Sequence, residues 1–183
     1  MPASEKIIAA TTAWLEAAVI GLNLCPFARA VHDARRIRYV VSGAETTEAL
    51  LDALLAELQL LASADPEEIE TTLLIHPRVL ADFLDFNDFL DVADATIEHC
   101  GFAGELQIAS FHPHYQFAGT APDDIENCTN RSPYPMLHLL REAGIERAVA
   151  GHPDPARIYE RNMETLRRLG HEGWARLMKK TAP

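Results

Sequence analysis

Three histidines, His76, His112 and His152, are each followed by proline where a predicted strand ends. If these strands are parallel, their carboxyl ends meet at one edge of the sheet, where ligands of open α/β folds bind. The three imidazoles would then converge and could act as acid and base, and we predict His76 and His152 as catalytic residues. The plainer interpretation is that proline ends each strand and histidine fills the turn.

His112 and His114 could also hold a metal. Residues two apart in an extended segment project to the same side, and two neutral imidazoles there suit zinc or another divalent ion. The candidates for a third ligand are His76, His152, Asp123 and Asp124. The alternative is that both are polar loop histidines hydrogen-bonded to the backbone. The cofactor thus stays open, with a divalent metal such as zinc as the candidate.

Cys25 is the candidate nucleophile. Pro26 places it at a helix end or turn, and the cationic run that includes Arg29, Arg35 and Arg36 could stabilise its thiolate. Free cysteine is also often a small buried hydrophobe. The three cysteines form no CxxC pair and no zinc-finger spacing, which favours reduced thiols over a disulfide scaffold.

The stretch from Glu105 to Pro135 predicts a strand, a long loop and a helix that begins at Ser132. An arginine just ahead of a capped helix is an arrangement that can hold a carboxylate or phosphate. We therefore predict that Asn130 and Arg131 bind substrate, together with Tyr115 of the same loop. Alternatively, Arg131 is ion-paired within a rigid turn to Asp123, Asp124 or Glu126. Arg161 and Asn162 of the last predicted helix either add to this site or lie on a solvated helix face.

Hydrophobic periodicity predicts alternating strands and helices. The predicted strands are 36–42, 71–75, 105–111 and 145–150, and the predicted helices are 5–22, 46–62, 86–100, 132–143 and 155–169. Such alternation favours a single α/β domain, 1–183, with a mostly parallel four-stranded sheet and helices on both faces. A ferredoxin-like α+β arrangement is the alternative. The tail 170–183 is either a loosely docked helix or frayed.

Composition limits the partners of the chain. Its 183 residues carry a formal net charge of −11, which disfavours nucleic acid and anionic membranes because phosphate binding depends on lysine and arginine. The basic stretches 29–38 and 167–180 are typical of solvated faces. No apolar run is long enough to span a membrane, and the first 20 residues lack a signal-peptide pattern, so we expect a cytoplasmic protein.

Several blocks of this sequence together resemble a bacterial family catalogued as domain of unknown function number 1415. The blocks are NLCPFA (23–28), HP (76–77), FNDFLDVAD (86–94), QIASFHPHYQF (107–117), ENCTNRSPYP (126–135) and HPDPARIYERN (152–162). The resemblance implies one complete domain and carries no activity with it.

Two functions remain open from the sequence. The first is a small cytoplasmic enzyme, a hydrolase or group transferase, that acts on a small anionic metabolite at the carboxyl edge of the sheet and is metal-dependent if His112 and His114 bind zinc. The second is a non-catalytic small-ligand or protein-binding domain. The oligomeric state is left open by the sequence.

Overall fold

Four strands form one sheet: β1 (Ile37–Val41), β2 (Thr71–Ile75), β3 (Leu106–Phe111) and β4 (Met136–Arg141). The computed structural model describes residues 3–151 and 154–181. His152, predicted as catalytic, lies outside the described residues. The strands predicted at 36–42, 71–75 and 105–111 correspond to β1, β2 and β3.

The sheet is mixed, with the order β1-β2-β4-β3. β1 pairs with β2 in parallel, whereas β4 lies between β2 and β3 and is antiparallel to both. The prediction of a mostly parallel sheet was therefore wrong. The physical reason is that no α-helix crosses over between β3 and β4, so the chain turns back and enters the sheet in the opposite direction. The element order also differs from the β-α-β-β-α-β order of a ferredoxin-like fold.

Six α-helices accompany the sheet in the described residues. They are α1 (Ala3–Trp14), α2 (Ala28–Asp33), α3 (Thr47–Ser63), α4 (Phe83–His99), α5 (Glu142–Ala150) and α6 (Ile158–Thr181). α1 continues as a π-helix (Leu15–Ile20), and short 3₁₀ helices occupy Ile125–Asn130 and Pro155–Arg157. α6 bends at Gly170, whose φ is 67°. None of the helices in the described residues is long and apolar enough to cross a bilayer.

The two faces of the sheet are covered by different helices. Leu74 of β2 packs in one cluster with the apolar faces of α3 and α4. Its neighbours Leu73 and Ile75 pack in a second cluster with α1, the π-helix and the last turns of α6, including Trp174. This alternation follows from the period of two along a strand, and it places the two sides of the carboxyl edge in separate environments.

Two predicted elements were wrong. Residues 136–141 lie in β4, where the prediction had a helix, because Met136 and Leu137 are buried on opposite faces of the sheet. Burial on both faces makes a strand read as a short continuous apolar run, which periodicity cannot separate from a helix. Residues 145–150 belong to α5 and not to a strand. Residues 145–150 therefore do not form a fourth strand that ends at the carboxyl edge of the sheet.

Candidate functional site

Two of the three predicted histidines meet at the carboxyl edge, the edge where β1, β2 and β3 end. His76 follows β2 and His112 follows β3, and both side chains are fully buried. The ring of Phe86 from α4 packs against both, with centroid distances of 5.7 Å to His76 and 5.1 Å to His112. The prediction that these strand ends lie together is confirmed for this pair.

The hydrogen bonds of His76 and His112 indicate which ring nitrogen of each imidazole carries the proton. His76 Nδ1 lies 3.1 Å from the carbonyl oxygen of Val79, so it carries the proton and Nε2 is bare. His112 Nε2 lies 3.2 Å from the carbonyl oxygen of Leu80, while its Nδ1 accepts the backbone N–H of His114 at 3.0 Å. Burial lowers the pKa of His112 and lowers the pKa of His76 to about 4. Both imidazoles are therefore neutral at neutral pH.

The predicted metal ligands do not fit a metal. Both ring nitrogens of His112 already have backbone partners, so coordination would break one of these bonds. His114 is exposed, and its ring centroid lies 6.0 Å from that of His112. Across 3–151 and 154–181, no three His, Cys, Asp or Glu residues are grouped to hold an ion. Since zinc needs at least three protein ligands, the geometry favours the alternative of backbone-bonded loop histidines.

Cys25 lies apart from the histidine pair. It belongs to the turn between the π-helix and α2 (the 21–27 turn), and it packs in the cluster of Ile75 and Met136 on the α1 side of the sheet. His76 stacks on Phe86 on the α4 side. Burial raises the pKa of the Cys25 thiol, although two backbone hydrogen bonds partly oppose this shift. A thiol in this environment is a weaker nucleophile than the predicted one.

The side chain of Arg131, which was predicted to bind an anion, forms hydrogen bonds with carbonyl groups of its own loop. Its guanidinium Nε donates to the carbonyl of Tyr115 at 3.2 Å, and Nη2 donates to that of Pro122. Asn130 Nδ2 donates to the carbonyl of Ser110 at 3.1 Å. No helix starts at Ser132, whose hydroxyl donates to the carbonyl of Tyr134 at 2.7 Å. The three residues predicted to bind substrate thus shape the 112–135 loop.

A buried amide that sequence reasoning missed organises the same loop. Asn127 Oδ1 accepts the N–H of Phe117 at 2.9 Å and the hydroxyl of Thr120 at 2.8 Å, and Nδ2 donates to the carbonyl of Ala121 at 2.8 Å. The side chain is fully buried. An asparagine in a polar loop gives no sequence signal of such a role. The Asn127 side chain therefore joins residues 117, 120 and 121 within the 112–135 loop.

A cavity of about 220 Å³ lies between the 21–27 turn and the first half of α6; we term it the α6 cavity. Asn23 and Pro26 line it from the turn, and Arg161, Thr165 and Arg168 line it from the helix. Buried Asn162 joins the two walls, because its Nδ2 donates to the carbonyl of Leu24 at 2.9 Å. Several of the lining residues belong to two of the blocks that carry the family resemblance, NLCPFA (23–28) and HPDPARIYERN (152–162).

The arginines of α6 differ in their partners. Arg167 pairs with Glu126 and Arg176 pairs with Glu172, whereas Arg161 makes no hydrogen bond or ion pair with any residue that the structure describes. Arg168 reaches only the hydroxyl of Thr165, at 3.5 Å, and no described carboxylate. Glu164 is the one acidic residue in the described lining. The α6 cavity therefore carries two guanidinium groups and one carboxylate, and neither guanidinium forms an ion pair with a residue that the structure describes.

These features define an α/β domain with a mixed sheet, a buried neutral histidine pair at one edge and an arginine-lined cavity beside α6. The chain belongs to the family described as a protein of unknown function, DUF1415, whose model matches residues 6–176. No curated protein matches the chain. No solved structure matches it either.

Proposed function

We propose that this protein is a non-catalytic binding domain for a small anionic molecule, held in the α6 cavity. The observation that carries the proposal is the pair of arginines, Arg161 and Arg168, that face one cavity without a carboxylate partner in the described residues. Such guanidinium groups bind carboxylate or phosphate through charge-assisted, bidentate hydrogen bonds.

Helix geometry gives the two arginines a common direction. Residues seven apart lie on the same face of a helix, about 10 Å apart along its axis. The long side chains of Arg161 and Arg168 can therefore both reach the acidic groups of one ligand in the cavity. Asn23 and Thr165 add neutral hydrogen-bonding groups to the lining. The cavity is small compared with the roughly 300 Å³ or more of common ligand pockets, which favours a compact dicarboxylate or phosphomonoester.

Binding has better support than hydrolysis or group transfer. The bare Nε2 of His76 is enclosed beside Phe86 and meets no described polar partner. Arg131 is occupied by loop carbonyls, and burial raises the pKa of the Cys25 thiol. Acid–base or nucleophilic catalysis requires such groups to reach a substrate. The α6 cavity instead offers charge and hydrogen bonds without a reactive group.

Ligand-induced stabilisation tests the proposal. We expect inorganic phosphate or citrate to raise the thermal midpoint of the wild-type protein by roughly 5–10 °C at about 100 times the dissociation constant. The Arg161→Ala, Arg168→Ala double variant should lose this shift, because both anchoring charges are gone. Arg176→Ala removes an exposed arginine of the same helix outside the cavity lining and should keep it.

The proposal fails if the double variant is stabilised as much as the wild type, since the anions then act elsewhere on the protein. It also fails if a panel of mono-, di- and tricarboxylates and phosphomonoesters produces no shift in the wild type. Circular dichroism of the variants at neutral pH checks that the helix content is unchanged.

A further inference from the structure

A shallow groove of about 380 Å³ runs between residues 47–51 of α3 and residues 85–92 of α4, on the side of the sheet that these two helices cover. Leu51, Phe89 and Val92 form its apolar surface, and Glu48, Asp85 and Asp88 border it. We term this region the acidic groove. The acidic groove places apolar side chains beside carboxylates, an arrangement that suits an interface with an apolar centre and a polar rim.

The apolar surface extends along α4 beyond the groove. Leu84 is 70% exposed and Val92 is 44% exposed, and the two side chains lie eight residues apart on one face of the helix. Only two other large apolar side chains in the described residues, Val149 and Tyr159, are similarly exposed. Covering Leu84 and Val92 would remove apolar area from water at about 25 cal/mol per Å².

The charge around the groove has one sign. α3 and α4 contain no lysine or arginine, and Asp85, Asp88 and Asp91 of α4 have no ion-pair partner among the described residues. Burial raises the pKa of the Asp94 carboxyl, and the nearby charges of Asp91 and Glu98 add to this effect. The negative charge of Asp85, Asp88 and Asp91 is therefore not neutralised by an ion pair within the described residues.

We propose that the acidic groove docks an amphipathic helix of a partner protein that carries lysine or arginine beside its apolar face. Helix-in-groove recognition places apolar anchors at i, i+3 or i+4 and i+7, and the cations would meet Glu48, Asp85 and Asp88. The net charge of −11 would speed the encounter with such a partner.

The basic end of α6 in a second copy of this chain, with Arg176, Lys179 and Lys180, does not offer such a helix. The apolar side chains there, Trp174 and Leu177 among them, already pack against the core. The occupant is therefore a different protein with a free basic amphipathic segment.

Fluorescence anisotropy with a labelled, helix-forming peptide of leucine and lysine, about 15 residues long, tests this inference. We expect saturable one-to-one binding to the wild type. The Leu84→Ser, Val92→Ser variant removes apolar contacts, and the Asp85→Asn, Asp88→Asn variant removes charge. Each should weaken binding about tenfold or more, and added salt should weaken binding to the wild type.

The control is Glu68→Gln, Glu105→Gln, which removes two exposed negative charges at the opposite edge of the sheet and should leave the affinity unchanged. Equal weakening by this control, together with no effect of the serine variant, would show attraction to net charge alone and overturn the proposal. Sedimentation velocity supplies a second readout. If the wild type is a dimer and the Asp85→Asn, Asp88→Asn variant is a monomer, a second copy of the chain occupies the groove and the proposal is overturned.

Discussion

The side chain of His76 packs closely against Phe86, but its burial carries a cost in free energy at one ring nitrogen. Its ring is fully buried against Phe86, and Nδ1 has a backbone acceptor, but Nε2 has no partner in the part of the chain that the structure describes. A buried polar atom without a partner costs about 1–3 kcal/mol. Stacking on Phe86 and the bond to Val79 offset this cost only while the imidazole is neutral.

Because His76 is buried in its neutral form, the free energy of unfolding should fall at acidic pH. The pKa of His76 is lowered from 6.5 to about 4 in the folded protein, so protonation favours the unfolded chain. The stabilisation is complete above about pH 6.5 and is lost as the pH falls through 6.5 toward 4. Between pH 7 and pH 4.5, His76 should account for about 2 kcal/mol of the loss in free energy of unfolding.

The change His76→Asn keeps a donor near the position of Nδ1 and removes the titration. Urea unfolding at pH 7 and pH 4.5 should therefore show a smaller loss of stability in this variant than in the wild type. His99→Asn, which changes an exposed histidine, should follow the wild type. If the wild type and His76→Asn lose the same free energy of unfolding, His76 is not the buried neutral base described here.

At the scale of elements, the predictable parts were those with local signals. Thr46 caps α3 and Asp82 caps α4, and both helices have the 3.6-residue apolar period that the sequence showed. β4 was missed because its burial on both faces depends on neighbours that come from distant parts of the chain. The π-helix Leu15–Ile20 was likewise invisible, since a single widened turn keeps the apolar pattern of an α-helix.

The π-helix leads to a prediction at Gly21, which ends it. The Gly21 N–H bonds to the carbonyl of Glu16, and a Cβ at Gly21 would overlap the carbonyl oxygen of Ala17. Gly21→Ala should therefore lower the free energy of unfolding by about 1–3 kcal/mol and weaken anion binding, because it displaces Asn23. At Gly43, no described atom apart from those of its chain neighbours lies within 4 Å of the position that a Cβ would take, so Gly43→Ala is the matched control.

Urea denaturation and citrate-induced thermal shifts measure both effects. Equal stability of Gly21→Ala and Gly43→Ala would show that the close approach of Ala17 is not maintained in solution. It would also remove the structural link between the π-helix and the α6 cavity.

The 112–135 loop leads to a second prediction at this scale. Asn127→Ala removes three hydrogen bonds and leaves the N–H of Phe117 without its acceptor, so we expect a loss of about 2–4 kcal/mol in the free energy of unfolding. Hydrogen exchange of the loop amides should also become faster. Asn87→Ala, at an exposed position of α4, should change stability by no more than about 0.5 kcal/mol. Similar urea midpoints for the two variants would refute the organising role of Asn127.

At the scale of the whole molecule, the sheet separates two chemically different surfaces. The side of α3 and α4 carries unneutralised acids, whereas the side of α6 carries Arg161 and Arg168 at a cavity. The sequence indicated the histidine pair at the sheet edge, because strand ends follow from local pattern. It could not show that those imidazoles are enclosed, or that the 21–27 turn lies against α6, since both depend on long-range packing.

The central claim, an anion held by Arg161 and Arg168, is tested most directly by nuclear magnetic resonance of the arginine Nε–Hε groups during a citrate titration. We predict that the signals of Arg161 and Arg168 shift together and saturate with one dissociation constant, while that of Arg176 stays unchanged. The proposed binding site would be contradicted if the chemical shifts of Arg161 and Arg168 did not change. It would also be contradicted if the signals of all exposed arginines shifted in proportion to the citrate concentration without saturation.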